Sequence, residues 1–303
     1  MFMCIVAGFV LKKSNILPAD TEVVLSRLEK YLFLPAMNFA SFSTYCTVSS
    51  LKANFSFISY CLLSVFLAII IATPLSKAFE RNDDYKRNIY KYSLIYANSG
   101  FMGNAIAPAI LGGSEHLYKY LLFALPITVT VYVWGVNLLT PPKYRSKNLI
   151  KNIFNAPIVG LLLGAVVGIS GLGQHMPSFI TTAVSYFQNC MGPVAMLLTG
   201  FVIGGYSFKS LLSNKKIYIV SLFRLILIPA VLATALYVAG ASKYILSLLL
   251  IATATPLGLN TVVFPATYGS DTKLGASMAM ISHTLCVLTI PLMFMLLDML
   301  VKG

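Results

Sequence analysis

The chain has 303 residues, 58% of them hydrophobic and only 10% charged, with a mean hydropathy of +0.82. A soluble domain carries roughly a quarter charged residues, so a water-soluble fold is excluded. The net charge of +13 is no nucleic-acid footprint either, because the Lys and Arg sit between apolar runs and not across one wet face.

A bilayer-spanning helix needs about 20 mostly apolar residues, and the apolar runs follow one another at about that length. The first, 1–11, is followed by Lys12 and Lys13 instead of a small-residue cleavage site, so it reads as part of a span and not as a removable signal. Next come 23–46, 55–76, 89–111 and 117–139. Thr140, Pro141 and Pro142 open a basic linker over 140–155, and the pattern resumes with 157–171, 178–206, 217–239, 244–268 and 274–301. The expected fold is therefore an all-α membrane protein of about ten transmembrane helices. Its first five-span half covers 1–139 and its second 156–303.

Connections after odd-numbered spans hold most of the cations, among them Lys12, Lys13, Arg81, Arg87, Lys147, Lys151, Lys209 and Lys216, whereas those after even-numbered spans hold Lys52, Lys119, Lys243 and Lys302. Positive loops stay cytoplasmic, which puts both termini on the outer face of a bacterial plasma membrane. Five spans per half then orient the halves oppositely. They also match weakly in sequence: Pro35 to Phe42 resembles Pro193 to Phe201, and Gly103 to Gly112 resembles Asn260 to Gly269. Two inverted five-helix repeats follow, with interrupted helices at corresponding places.

Spans 4 and 9 are the least helix-like. Asn98, Gly100, Gly103 and Asn104 precede Pro108 in one; Pro256, Gly258, Asn260 and Thr261 precede Pro265 in the other. Glycine costs about 1 kcal/mol and proline about 3 kcal/mol inside a helix, so both spans are expected to break. Freed backbone groups cannot face lipid. Two such breaks crossing at the midplane would offer half-helix N-termini to an anion and carbonyl ends to a cation. The competing reading is that the asparagines bind helices together and the glycines permit close packing.

Pro35, Asn38 and Pro193 are possible accessory positions. Arg224 lies seven residues inside span 8, about 10 Å deep at 1.5 Å per residue; it is either a charge partner for an anion or a snorkelling side chain. His283, in span 10, is either a proton relay or a neutral packing residue. By position no acid lies near a midplane: Glu22, Glu29, Glu80, Glu115, Asp271 and Asp298 fall near span ends. Cys4, Cys46, Cys61, Cys190 and Cys286 are scattered, with no CxxC pair. No metal site, catalytic group or cofactor is expected, and the coupling ion, H+ or Na+, stays open.

Several of these segments resemble the auxin efflux carrier family, which includes bacterial permeases: Leu34-Pro35-Ala36, Asn98 to Gly103, Pro256 to Val262 with Tyr268-Gly269, and Leu288 to Pro291. The resemblance implies a scaffold of spans 1, 2, 6 and 7 and a moving transport domain of spans 3–5 and 8–10. It also implies an organic-anion site by the crossing of spans 4 and 9, and elevator-type alternating access. Bile acid sodium symporters are similar in fold. Expected partners are the solute, membrane lipid and a second copy of the chain against the scaffold. Three departures stand out: span 1 is about half the length of a crossing, which raises the expectation of a truncated start; Ala105 stands where the family has proline; and His283 replaces Ser or Thr. Two other classes stay open, a degenerate non-transporting membrane protein and an intramembrane enzyme, the latter lacking a buried acid or a histidine cluster.

Overall fold

The structure is a computed structural model that describes residues 2–18, 20–145, 154–205, 215–258, 260–268 and 270–302. The expectations resting on Lys147, Lys151, Lys209, Tyr206, Leu259 and Gly269, and on most of the basic linker, lie outside the described residues. Those described form helices in this order: α1 Phe2–Lys13, α2 21–45, α3 Phe55–Phe79, α4 Asp84–Ile95, α5 Ser99–Leu111, α6 Ser114–Leu139, α7 Ala156–Ile169, α8 Ser178–Gly204, α9 Lys215–Val238, α10 Lys243–Thr253, α11 Asn260–Thr267 and α12 Lys273–Lys302. Among the described residues, α3, α6, α8, α9 and α12 are long and apolar enough to cross a membrane. At 1.5 Å per residue, α5, α7 and α10 are each too short to do so alone.

Local chemistry starts and bends these helices. Asp83 accepts from the N–H groups of Tyr85 and Lys86 at 3.0 Å each and caps α4; the Lys86 N–H foremost holds its carboxyl below the usual carboxylate range. Asn155 and Ser242 cap α7 and α10 in the same way. Proline does less than the sequence suggests, since Pro74, Pro108, Pro126, Pro193, Pro265 and Pro291 all lie inside helices that continue through them. Two prolines instead follow a π turn. Leu34 N–H reaches back five residues to Glu29 O just before Pro35, and Ile228 N–H reaches Phe223 O just before Pro229. A π turn absorbs one extra residue, which accommodates a ring that would clash with the carbonyl four residues back.

The chain divides into two compact units. Unit 1 takes Met1–Ser56, Asn104–Leu122 and Ile150–Gly205; unit 2 takes Phe57–Gly103, Phe123–Leu149 and Tyr206–Gly303. In unit 1, Gly160, Gly164 and Gly168 repeat every fourth residue of α7 and let its backbone lie against α2. A Cβ at Gly164 would stand 2.6 Å from Phe39 O, and those at Gly160 and Gly168 would overlap Pro35 O and Phe42 O. Gly8 of α1 faces Leu197 O of α8, and Gly200 faces Ile5 O, just as closely. The outer side of α7, with Leu162, Leu163 and Val166, is exposed, as a lipid-facing flank is.

Unit 2 is built around α10, in which every residue from Ile245 to Thr253 is buried. A helix apolar on all sides belongs at a core. In the same unit the Tyr92 and Tyr96 rings lie tilted at 5.0 Å between centroids, and Trp134 meets Tyr96 edge-on at 6.4 Å. Gly135 makes room for both tyrosine rings, since an added Cβ would come within 2.9 Å of Tyr96 and 3.0 Å of Tyr92.

Candidate solute site

Within unit 2, α4 stops at Ile95 and α10 stops at Thr253, and the two extended segments that follow run antiparallel. Ala97 and Leu257 form an isolated β-bridge, in which the Asn98 N–H donates to Pro256 O at 2.8 Å. Two backbone strands that would be orphaned inside a membrane thus satisfy part of each other's hydrogen bonding. Leu257 N–H donates to Ser282 Oγ at 3.0 Å, which ties the crossing to α12. On the far side of each break a helix resumes. Asn98 O accepts from Met102 and Gly103 N–H at 3.0 Å each to start α5, while Gly258 O accepts from the Thr261 N–H and hydroxyl to start α11.

The crossing does not require glycine at 258, because a Cβ there would stand 3.4 Å from Ala97 O and 3.8 Å from Asn98 Cα, ordinary van der Waals contact. Gly100, by contrast, is exposed and has open space where its side chain would be.

The side chains predicted around the breaks divide between tasks. Asn98 is 2% exposed, and its Nδ2 lies 3.5 Å from His283 Nε2. His283 Nδ1 is 2.7 Å from Ala279 O; a carbonyl can only accept, so Nδ1 carries the hydrogen and Nε2 is left to accept from Asn98. Asn260 Nδ2 donates to the Tyr92 hydroxyl at 3.0 Å. Thr261, 0% exposed, is used up by Gly258 O.

Arg224 corrects the snorkelling alternative. It sits in the π turn of α9, is 2% exposed, and offers Nε, Nη1 and Nη2 to no hydrogen-bond partner among the described residues. Its π turn packs against α4, which carries Tyr92, and the Tyr92 hydroxyl receives Asn260. A guanidinium stays charged in proteins, and an intramembrane cation without an anion is costly. The arrangement can therefore take a carboxylate bidentately. Ser221 Oγ, one turn before Arg224, and Thr255 Oγ1, in the second break, are also buried without hydrogen-bond partners among the described residues.

Asn104, Pro108 and Pro193 fall in unit 1, where they line a cavity of ≈ 390 Å³ together with Met37, Gln188 and Asn189. All its lining residues are uncharged. Pro35 and Asn38 serve elsewhere: Pro35 lies under Gly160, and Asn38 Nδ2 donates to Pro157 O at 2.9 Å. Tyr92, Ser282, Gln188 and Asn189 carry no sequence signal of their own; of the four, Tyr92 alone stands on a helix that ends at a break. Glu29 is a further correction. Counted by position among the acids near span ends, it is 0% exposed in the π turn of α2.

A family described as membrane transport protein matches the chain at residues 1–148 and again at 143–294. The chain is also 24% identical, over 302 residues, to an uncharacterized transporter of Methanocaldococcus jannaschii, covering 96% of this chain and 95% of that protein.

Proposed function

Since this chain belongs to the membrane transport protein family, that of the auxin efflux carriers, and is an integral membrane transporter, we propose that it carries a small organic anion by elevator-type alternating access. The observation that carries the anionic reading is Arg224: a buried guanidinium without a hydrogen-bond partner among the described residues, in a π turn packed against α4, whose Tyr92 accepts from Asn260 beside the helix break. The solute's carboxylate supplies the missing counter-charge. Its remaining polar atoms meet Asn98, Asn260 and the broken backbone, with Pro256 and Gly258 in the second break and Gly100 and Gly103 in the first turn of α5.

Ten spans in two inverted repeats are the layout that fits this reading. In the pairing that sets Pro35 against Pro193, Phe39 answers to Leu197. Gly164 of α7 packs on Phe39 O and Gly8 of α1 packs on Leu197 O, so the first helix of each half meets the second helix of the other at matched positions. Both termini then lie on the outer face of the plasma membrane, as the basic connections require.

The test is uptake of labelled monocarboxylates and dicarboxylates into proteoliposomes. Saturable uptake of an acid, abolished by Asn98→Ala, Asn260→Ala and Arg224→Gln in protein that still folds, supports the proposal. A folded wild-type protein that moves no acid of the panel, or mutants that carry at the wild-type rate, rejects it.

A further inference from the structure

Unit 1 holds a titratable group that the solute site does not use. The residue Glu29 is 0% exposed, and neither Oε1 nor Oε2 has a hydrogen-bond partner among the described residues. The two turns of helix before it, Thr21–Leu28, bury no residue, whereas Glu29, Phe33 and Leu34 are buried. The π turn is thus where α2 passes from an open face to a packed one, and it carries the carboxyl in with it.

The helices packed on this turn are α7 and α8. Neither contains an Asp, Glu, Lys, Arg or His. Tyr186 and Cys190, the titratable groups of α8, are exposed. On α2 itself Arg27 is exposed, Lys30 has its Nζ over the Tyr31 ring at 5.2 Å, and Glu22 pairs with Lys12 at 3.6 Å. One turn beyond, Phe33 lies 6.5 Å from Phe187 between ring centroids. An ionised carboxylate at 0% exposure, with no hydrogen-bond donor on either oxygen among the described residues, is costly. A metal ion needs several oxygen ligands, and among the described residues no group of three His, Cys, Asp or Glu stands ready to hold one. A proton needs one oxygen.

We propose that Glu29 is a proton-binding site of unit 1 on which transport depends. One carboxylate oxygen forms an O–H bond with a proton from a hydronium ion, whose O–H bond breaks to leave water, and the reverse step returns the proton to water. The proton stays on Glu29 while the π turn is packed as described, and exchanges when this turn opens locally to water. Binding of the proton stands on unit 1 alone; its effect on transport rests on the carrier reading above.

Two measurements on the whole protein in lipid vesicles separate these parts. Infrared spectra in water and heavy water, at a pH where exposed acids are ionised, should contain the C=O stretch of a protonated carboxyl. That band should be lost completely in Glu29→Gln, which preserves the shape, and in Glu29→Met, while Glu115→Gln leaves it unchanged. Proteoliposome uptake of the transported acid should vary with pH in wild type and become flat across the neutral range in Glu29→Gln. A missing band in wild type, a band that survives in Glu29→Gln, or a Glu29→Gln pH profile like wild type overturns the proposal. If wild type carries no acid at all, the carrier reading fails, and the infrared band still decides whether Glu29 binds the proton.

Discussion

Replacing Arg224 by methionine should make the protein more stable while destroying its transport. The side chain is 2% exposed, and all three guanidinium nitrogens are buried without a partner. Each buried donor left unmade costs about 1–3 kcal/mol. Replacing buried charge by an apolar group of similar volume is often stabilising by about 1–4 kcal/mol. At about 2–4 °C per kcal/mol for a chain of this order of size, the apparent Tm of Arg224→Met should rise by roughly 2 to 15 °C. Trp134, the single tryptophan, packs on Tyr96 in the same unit, so its emission reports unfolding there. Arg224→Lys keeps the charge but loses the planar fork, and should retain weak uptake. A fall in Tm for Arg224→Met would mean that the arginine is held by a structural partner, and the reasoning from a missing anion would be refuted.

Glycine contacts supply a paired test. Gly164→Ala drives a Cβ to 2.6 Å from Phe39 O and should cost about 1–3 kcal/mol of stability as overpacking, whereas Gly100→Ala meets nothing within 4 Å and should stay within about 0.5 kcal/mol of wild type; thermal melts compare them. Asn260→Ala strands the buried Tyr92 hydroxyl and should cost about 1–3 kcal/mol. Adding Tyr92→Phe should recover part of that loss, and a double-mutant cycle measures the coupling. Asp83→Ala should cost about 1 kcal/mol at neutral pH by loss of the cap. The folded state holds the Asp83 carboxyl below its usual range, so this contribution is present above the unfolded pKa and vanishes as pH falls through the folded one; the melting difference between wild type and mutant should close in acid.

Helix content and the places where α4 and α10 stop were legible because glycine, asparagine and proline change backbone energies locally, whatever surrounds them. The proximity of Asn98 to Pro256 followed from the same runs. Proline misled where it stood alone: Pro108 and Pro265 lie within α5 and α11, and the breaks fall before them, at Tyr96 to Asn98 and Ala254 to Gly258. Depth counted along the chain did not foretell the burial of Glu29 and left Arg224 undecided, because a π turn rotates the residues around it relative to a regular helix. The part played by Tyr92 depends on which helix lies beside α4, a tertiary fact that no local pattern encodes. Gln188 and Asn189 join the unit 1 cavity for the same kind of reason: they face it only because α8 packs where it does.

The most direct measurement is labelling of a cysteine placed at Gly100, in protein whose five native cysteines have been replaced, by a charged, water-soluble thiol reagent in proteoliposomes. Gly100 lies at the first break, with room for the new side chain. The account predicts that the reagent reaches this cysteine from water and that the transported acid protects it. A cysteine labelled only by membrane-soluble reagents, or labelled equally with and without the acid, would contradict it.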